Sequence, residues 1–147
     1  MRLKHISMIA ALAVAWASPA LAQQQKLPPG YTLKPTPTYK NVAQDPDGIW
    51  SADDLVPVGR PAQHPDIAIA RVSTPAGEWV LSQVLGGCSM QSDCPFRLIL
   101  KRSNGKTAKV AGGVLADGGT AVLSADYSKI FTETYAGIET NPVEVPK

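Results

Sequence analysis

The chain contains few of the residues that usually build a catalytic or metal site. Only two of its 147 residues are cysteines and only two are histidines. Two cysteines alone cannot complete a tetrahedral zinc site. There is also no Gly-x-Ser-x-Gly segment and no glycine-rich phosphate loop, so the usual hydrolase elbow and nucleotide-binding loop are excluded. We therefore expect a protein without enzymatic activity and without a cofactor.

An excess of charge is also missing. Arg2 and Lys4 account for two of the 14 basic residues, so the chain beyond residue 22 has 12 basic against 12 acidic residues. A neutral protein attracts neither nucleic acid nor an anionic membrane over long distances. The 13 prolines and 12 glycines argue against long helices and coiled coils.

Residues 1–22 have the three parts of a secretory signal peptide. Arg2 and Lys4 precede a short apolar run that ends at Trp16, and Ala20-Leu21-Ala22 offers a cleavage site before Gln23. The run is shorter than the ~20 residues that span a bilayer. We expect cleavage after Ala22, no membrane insertion afterwards, and a periplasmic or secreted protein.

The two cysteines favour the same compartment. Cys88 and Cys94 are both in the part that follows the signal, and an even count in an oxidising space predicts a disulfide. The ring would contain seven residues, and its closure contributes roughly 2 kcal/mol by chain-entropy arithmetic. Its main effect would be to hold the shape of one loop. A redox pair is disfavoured because such pairs use Cys-x-x-Cys spacing.

After the signal, the composition changes near residue 48. Residues 23–47 are rich in proline and predict a flexible tether, whereas residues 48–147 predict a single β-rich domain. Trp50 is an expected early core residue. Ser51 is a suitable N-cap for one helical turn that follows it.

Six short segments within that domain predict a small antiparallel meander with little helix. They are 67–72, 79–85, 96–102, 107–111, 120–124 and 128–135. Asn104-Gly105 predicts a tight hairpin between the third and fourth segments. Ile67 and Ile69 face one side of the first segment, and Ala68 and Ala70 face the other. Apolar residues on both sides are typical of a strand that is covered on both faces. Gly112-Gly113 predicts a bulge or bend, and residues 141–147 a loose end.

Three sites with acidic or histidine side chains are candidates for catalysis or for metal binding. His64 is a candidate base, but a lone histidine in a proline-rich loop is more typical of a surface position. Asp45 and Asp47 begin a calcium-like turn, yet the twelfth position, where a glutamate is needed, is Val56. Asp53-Asp54 would point to opposite faces of an extended chain, which disfavours paired acid–base catalysis.

A cluster of basic residues surrounds the predicted hairpin. It contains Arg97, Lys101, Arg102 and Lys106, with Lys109 on the return strand. One interpretation is a solvated strand face that protects a sheet edge from pairing. The alternative is a docking patch for an acidic partner.

The residues between the cysteines form the candidate partner-binding loop. They are Ser89, Met90, Gln91, Ser92 and Asp93. Closing a loop at its base reduces the entropy lost on binding, and a methionine at an exposed tip is an adaptable apolar contact. The alternative is an ordinary connection between two strands, which the disulfide only holds closed.

Residues 87–106 contain this loop, a strand and the charged turn. They resemble the periplasmic inhibitor of vertebrate lysozyme family, whose loop reads Cys-Lys-Pro-His-Asp-Cys. Cys88 and Cys94 match its cysteines, and Asp93 matches its aspartate. Ser92 stands where the family has its inhibitory histidine, and the loop is one residue longer. The resemblance implies an antiparallel sheet with some helix and a loop that enters a lysozyme cleft.

The sequence therefore predicts a non-catalytic protein that binds a protein partner through residues 88–94. The partner would be a cell-wall hydrolase, either a lysozyme or, for an immunity protein, the amidase of another bacterium. A second hypothesis is a structural or accessory envelope protein that docks through the basic hairpin. A third is a hydrolase that uses His64 and a serine.

Overall fold

The computed structural model describes residues 25–55, 67–85 and 88–147, and within these ranges the chain forms nine β-strands and two 3-10 turns. The turns span Val42–Gln44 and Asp53–Leu55. The expected mainly β fold with little helix is confirmed. The strands are β1 (Tyr31–Leu33), β2 (Thr36–Tyr39), β3 (Ile67–Thr74), β4 (Gly77–Val84), β5 (Asp93–Lys101), β6 (Thr107–Ala116), β7 (Ala121–Leu123), β8 (Lys129–Thr134) and β9 (Gly137–Pro142).

The strands form two antiparallel sheets, where the sequence predicted one meander. Sheet A has the order β1-β7-β8-β9, and sheet B has the order β2-β3-β4-β5-β6. The chain leaves sheet A between β1 and β2 and returns to it between β6 and β7. Sequence spacing reports hairpins between neighbouring strands, but it does not report the points at which a chain changes sheet.

The main core fills the space between the inner faces of the two sheets. Alternate residues of β4 and β5 point into it, because successive side chains of a strand face opposite sides. It consists of Leu33, Trp79, Leu81, Phe96, Leu98, Leu100, Val110, Ala111, Leu115, Ala121, Leu123 and Ile130.

A second apolar cluster lies on the outer face of sheet B. Ile67 and Ile69 of β3 pack there with Val80, Val84 and Ile99, so β3 is covered on both faces as its pattern predicted. Ile49 and Trp50 cover this face.

Trp50 is held in this layer by two contacts besides apolar packing. Its Nε1 donates to the Ser82 Oγ at 2.8 Å. The Arg97 guanidinium lies 4.2 Å from the centre of its ring. The segment after it turns as expected, since the Asp54 amide donates to the Ser51 Oγ at 3.3 Å. The early core position expected for Trp50 is therefore what the structure shows.

The part of the expected flexible tether that the structure describes is not a tether, because it contains β1 and β2. β1 pairs with β7 and β2 pairs with β3, each at the edge of its sheet. Leu33 is buried in the main core. Pro37 lies in β2, where an edge strand accommodates the missing N–H on its open side.

Two further expectations are corrected near the chain end. β6 continues through Gly112-Gly113 to Ala116, and its irregularity lies earlier, opposite Leu98 and Ile99. The expected loose end begins within β9, which pairs with β8 along its whole length. Residues 1–24 and His64 lie outside the described ranges.

Replacing Trp50 by alanine is expected to lower the free energy of unfolding by about 3–5 kcal/mol, because a buried indole and its contacts are lost. Trp50→Phe keeps most of the apolar area and loses the hydrogen bond to Ser82, so it should cost about 1 kcal/mol. Urea unfolding followed by circular dichroism measures both. Equal stability of Trp50→Ala and the wild type would contradict the role of Trp50 as the cover of sheet B.

Candidate functional site

The loop between the two cysteines is closed by a covalent bond and by hydrogen bonds. Cys88 and Cys94 form a disulfide, as the sequence predicted. The Ser89 amide donates to the Asp93 carbonyl at 2.7 Å, and the Ser92 amide donates to the Ser89 carbonyl at 3.0 Å. We call residues 88–94 the disulfide loop. Its backbone is held at the base and across the turn.

The two ends of the disulfide loop differ in burial. Cys94 lies in β5 opposite Leu115 and is fully buried, so the covalent bond joins the loop to the core. Ser92 has a φ of 65°, in the left-handed region that residues other than Gly, Asn and Asp seldom adopt. This conformation turns the chain into β5.

The side chains at the tip of the disulfide loop point into solvent. Met90 is 100% exposed, and Ser89, Gln91 and Ser92 are exposed as well. A fully exposed methionine is unusual, since its side chain gains free energy by leaving water. The loop therefore presents an apolar group on a constrained backbone.

Two other loops are bonded to the disulfide loop at the same end of the molecule. The Tyr135 amide, in the turn between β8 and β9, donates to the Asp93 Oδ1 at 2.9 Å. The Asp117 amide, after β6, donates to the Ser92 carbonyl at 2.8 Å. Tyr135 is 76% exposed. We call residues 89–93, 117–118 and 135–136 together the loop surface.

The sequence did not predict the contribution of Tyr135 and Asp117 to this surface. The sequence predicts Tyr135 as the last residue of a strand. The Ala136-Gly137 pair that follows is the local signal that could have indicated a turn there. Asp117 lies there because it follows β6, which pairs with β5 in sheet B. Tyr135 lies there because β8, in the other sheet, ends beside β5, which is a long-range feature.

A buried glutamine lies beneath the loop surface. The Gln83 Nε2 donates to the Leu115 carbonyl at 2.7 Å and lies 3.3 Å from the Ala116 carbonyl. Gln83 is fully buried on the inner face of β4. It therefore fixes the end of β6 from which the Asp117 turn departs. No feature of the sequence marked Gln83 for this role.

The structure places Arg97, from the predicted basic patch, in contacts within the protein. Its guanidinium pairs with both carboxylate oxygens of Asp54, at 2.7 and 3.0 Å, and donates to the Ile49 carbonyl at 2.8 Å. These hydrogen bonds from Arg97, aided by Ser51, hold the pKa of Asp54 well below its usual range. Arg97 thus fastens the segment that covers sheet B.

Lys101 is also engaged, in a network of four charged side chains. Its Nζ lies 2.7 Å from the Asp47 Oδ1 and 3.6 Å from the Glu78 Oε2. Arg71 lies 2.5 Å from the Asp47 Oδ2 and 3.5 Å from the same Glu78 oxygen. Burial alone would raise the pKa of Asp47, but the hydrogen bonds from Lys101 and Arg71 outweigh it and lower that pKa.

The last two residues of the predicted patch differ from each other. Arg102 donates to the Pro146 carbonyl and holds the C-terminal segment. Lys106 is exposed and, within residues 25–55, 67–85 and 88–147, makes no ion pair. Three of the four basic side chains are therefore used inside the protein, which argues against a free docking patch.

The candidate calcium turn is a structural turn. The Asp45 carboxylate accepts the amides of Asp47 and Ile49, at 2.9 and 3.2 Å, and Asp47 itself pairs with two cations. In the part of the chain that the structure describes, no group of three or more His, Cys, Asp or Glu side chains is arranged to hold a metal ion.

Comparison with protein-family models, with curated proteins and with solved structures gives no significant match for this chain. Among the described residues, no helix has the length and apolar character needed to cross a membrane. The disulfide is typical of proteins outside the cytoplasm.

Asp93→Ala is expected to uncouple the β8–β9 turn from the disulfide loop, because the Tyr135 amide loses its acceptor. The Tyr135 amide should exchange with deuterium at least about fivefold faster, since one hydrogen bond contributes ~1 kcal/mol. Amide exchange measured by NMR reads this out directly. Asp93→Asn keeps the Oδ1 acceptor and is the matched control. Unchanged exchange in Asp93→Ala would contradict the coupling.

Asp47→Asn is expected to lower the free energy of unfolding at pH 7 by about 2 kcal/mol. This value lies between the contribution of an exposed ion pair and the cost of breaking a buried one. The pKa of Asp47 is lower in the folded protein than its ordinary value of 3.8. Its stabilisation is therefore present above that value and is lost as the pH falls through the folded pKa.

The stability difference between the wild type and Asp47→Asn should thus be largest near neutral pH and shrink in acid. Chemical denaturation at a series of pH values measures it. Glu139→Gln, which removes an exposed carboxylate of β9, is the control and should change stability little. A difference that is constant with pH would rule out the ion pairs as its source.

Proposed function

We propose that this protein is a secreted, non-catalytic binding protein that blocks a cell-wall hydrolase, a lysozyme or an amidase, by inserting the disulfide loop into its cleft. The observation that carries the proposal is a fully exposed Met90 on a covalently closed loop. A binding loop that is already ordered loses little conformational entropy when it meets its partner.

Tyr135 supports the same surface as a second anchor. Its ring is largely exposed, and its backbone is tied to the disulfide loop through Asp93. Tyrosine is enriched among the residues that dominate protein interfaces, because it buries a large area with few rotatable bonds. Burying either side chain contributes roughly 1.5–3 kcal/mol. Met90 and Tyr135 together therefore form a two-point apolar contact.

The resemblance of residues 87–106 to the periplasmic lysozyme-inhibitor family points to the same target class. In that family the disulfide-closed loop enters the lysozyme cleft. Here the Ser92 carbonyl accepts the Asp117 amide, while its side chain stays exposed. The exposure of the Ser92 side chain supports a contact with a partner, although serine cannot ionise as the histidine of the family can.

The proposed location is the periplasm or the medium. The charged start, the short apolar run and Ala20-Leu21-Ala22 are the features of a signal peptide. The disulfide needs an oxidising compartment, which the periplasm provides. Cell-wall hydrolases act in the same space.

The alternative, an accessory envelope protein that docks through its basic hairpin, has less support. Arg97 and Lys101 would have to give up ion pairs that hold the cover of sheet B. Leaving a half-buried carboxylate without its partner is destabilising. A partner for this hairpin would therefore have to offset that loss.

Inhibition assays test the proposal. The protein purified from the periplasm of an expressing bacterium is expected to slow peptidoglycan cleavage by at least one member of a panel of lysozymes and amidases. Met90→Ala and Tyr135→Ala should each weaken inhibition about 10- to 100-fold, or ~1.4–2.8 kcal/mol. Val145→Ala truncates another exposed apolar residue, beyond the far end of β9, and should leave inhibition unchanged.

Two results would contradict the proposal. The first is the absence of both inhibition and complex formation across the whole panel. The second is inhibition that survives Met90→Ala and Tyr135→Ala together. Binding that depends on Lys101 and Arg102 but not on Met90 would favour the accessory protein.

A further inference from the structure

The sulfur chemistry of the described chain is concentrated in one loop. Apart from Met1 and Met8, Met90 is the only methionine in the sequence, and the two cysteines that flank it are already oxidised to a disulfide. Met90 is 100% exposed, so an oxidant reaches its thioether without any local unfolding. Exposure is the main determinant of methionine oxidation.

The two tryptophans of the described ranges, which are also easily oxidised, are shielded. Trp79 is completely buried in the main core, and Trp50 is 7% exposed beneath the Arg97 guanidinium. The sulfur of Met90 is therefore the group that a small oxidant meets first. A selective reaction at this one atom follows from packing alone.

We propose that Met90 is a site of reversible oxidation that turns off binding by the loop surface. This inference rests on the proposed function, because the loss of an exposed apolar tip matters only if that tip contacts a partner. The oxidant is a peroxide or a hypohalous acid, a two-electron oxidant of the kind that reaches extracytoplasmic proteins.

With hydrogen peroxide the reaction is a simple oxygen transfer. The thioether sulfur attacks one peroxide oxygen, an S–O bond forms and the O–O bond breaks. The other oxygen leaves as hydroxide and takes a proton, so the products are methionine sulfoxide and water. The sulfur is oxidised by two electrons and the peroxide is reduced. Methionine sulfoxide reductases reverse the step with two thiols, which become a disulfide as water is released.

The sulfoxide would change the loop surface without changing the fold. A flexible apolar side chain becomes polar, and a buried S=O group without a donor is unfavourable in an apolar subsite. Because Met90 is fully exposed, its oxidation removes no packing from the core. The hydrogen bonds of Ser89 and Ser92 keep the backbone of the disulfide loop in place. Oxidation of Met90 is therefore expected to weaken binding and to leave the folding stability unchanged.

The test compares binding before and after treatment with hydrogen peroxide. Peptide mass spectrometry should show one added oxygen on Met90, formed at a rate close to that of free N-acetylmethionine amide. The oxidised protein should inhibit its hydrolase at least about tenfold less, or ~1.4 kcal/mol, with an unchanged melting temperature. Treatment with a methionine sulfoxide reductase and dithiothreitol should restore inhibition, checked at a dithiothreitol level that leaves the disulfide intact.

Two variants serve as matched controls. Met90→Leu carries no sulfur, so the inhibition that it retains before treatment should not change on exposure to peroxide. Met90→Gln has a polar tip of similar length, so it should behave like the oxidised protein without treatment.

The outcomes separate the two proposals. Equal inhibition by the oxidised and unoxidised wild type, or slow oxidation of Met90, overturns the switch and leaves the inhibitor function standing. A peroxide-sensitive Met90→Leu variant also overturns it, because the sensitive group is then elsewhere. A protein that inhibits no hydrolase even before oxidation overturns the proposed function and this inference with it.

Discussion

Sheet B is apolar on both of its faces, and most of the structure follows from the need to cover them. Sheet A covers the inner face around Trp79 and Leu98. On the outer face, with Ile67, Val80 and Ile99, the covering element among the described residues is the segment around Trp50 and not a second sheet. If this outer face were exposed, its apolar side chains would lower the solubility of the protein and favour aggregation.

The covering segment explains why Arg97 and Lys101 form ion pairs within the protein. Arg97 and Lys101 of β5 lie beside the covering segment, so Arg97 reaches Asp54 and Lys101 reaches Asp47. A half-buried carboxylate needs such partners. Arg97, Lys101 and Arg102 of the basic hairpin thereby hold the protein together, whereas Lys106 stays exposed. The exposed side chains of Met90 and Tyr135 lie at the ends of strands.

The loop surface arises at one such end, where loops from both sheets meet. The disulfide anchors one loop to the core, and the Asp93 carboxylate joins it to the β8–β9 turn. Met90 and Tyr135 are thus both exposed on loops that are hydrogen-bonded to each other.

Local pattern by itself determined the strands β3 to β8, the Asn104-Gly105 hairpin and the disulfide, but not β9, part of which was expected as a loose end. Alternation, turn residues and cysteine spacing act over a few residues, so they can be read along the chain. Tertiary structure decided the division into two sheets, the use of β1 and β2 as edges, the ion pairs of Arg97 and Lys101, and the place of Tyr135. Each of these depends on which distant segments share a core, and the burial that selects among such pairings exists only once the chain has folded.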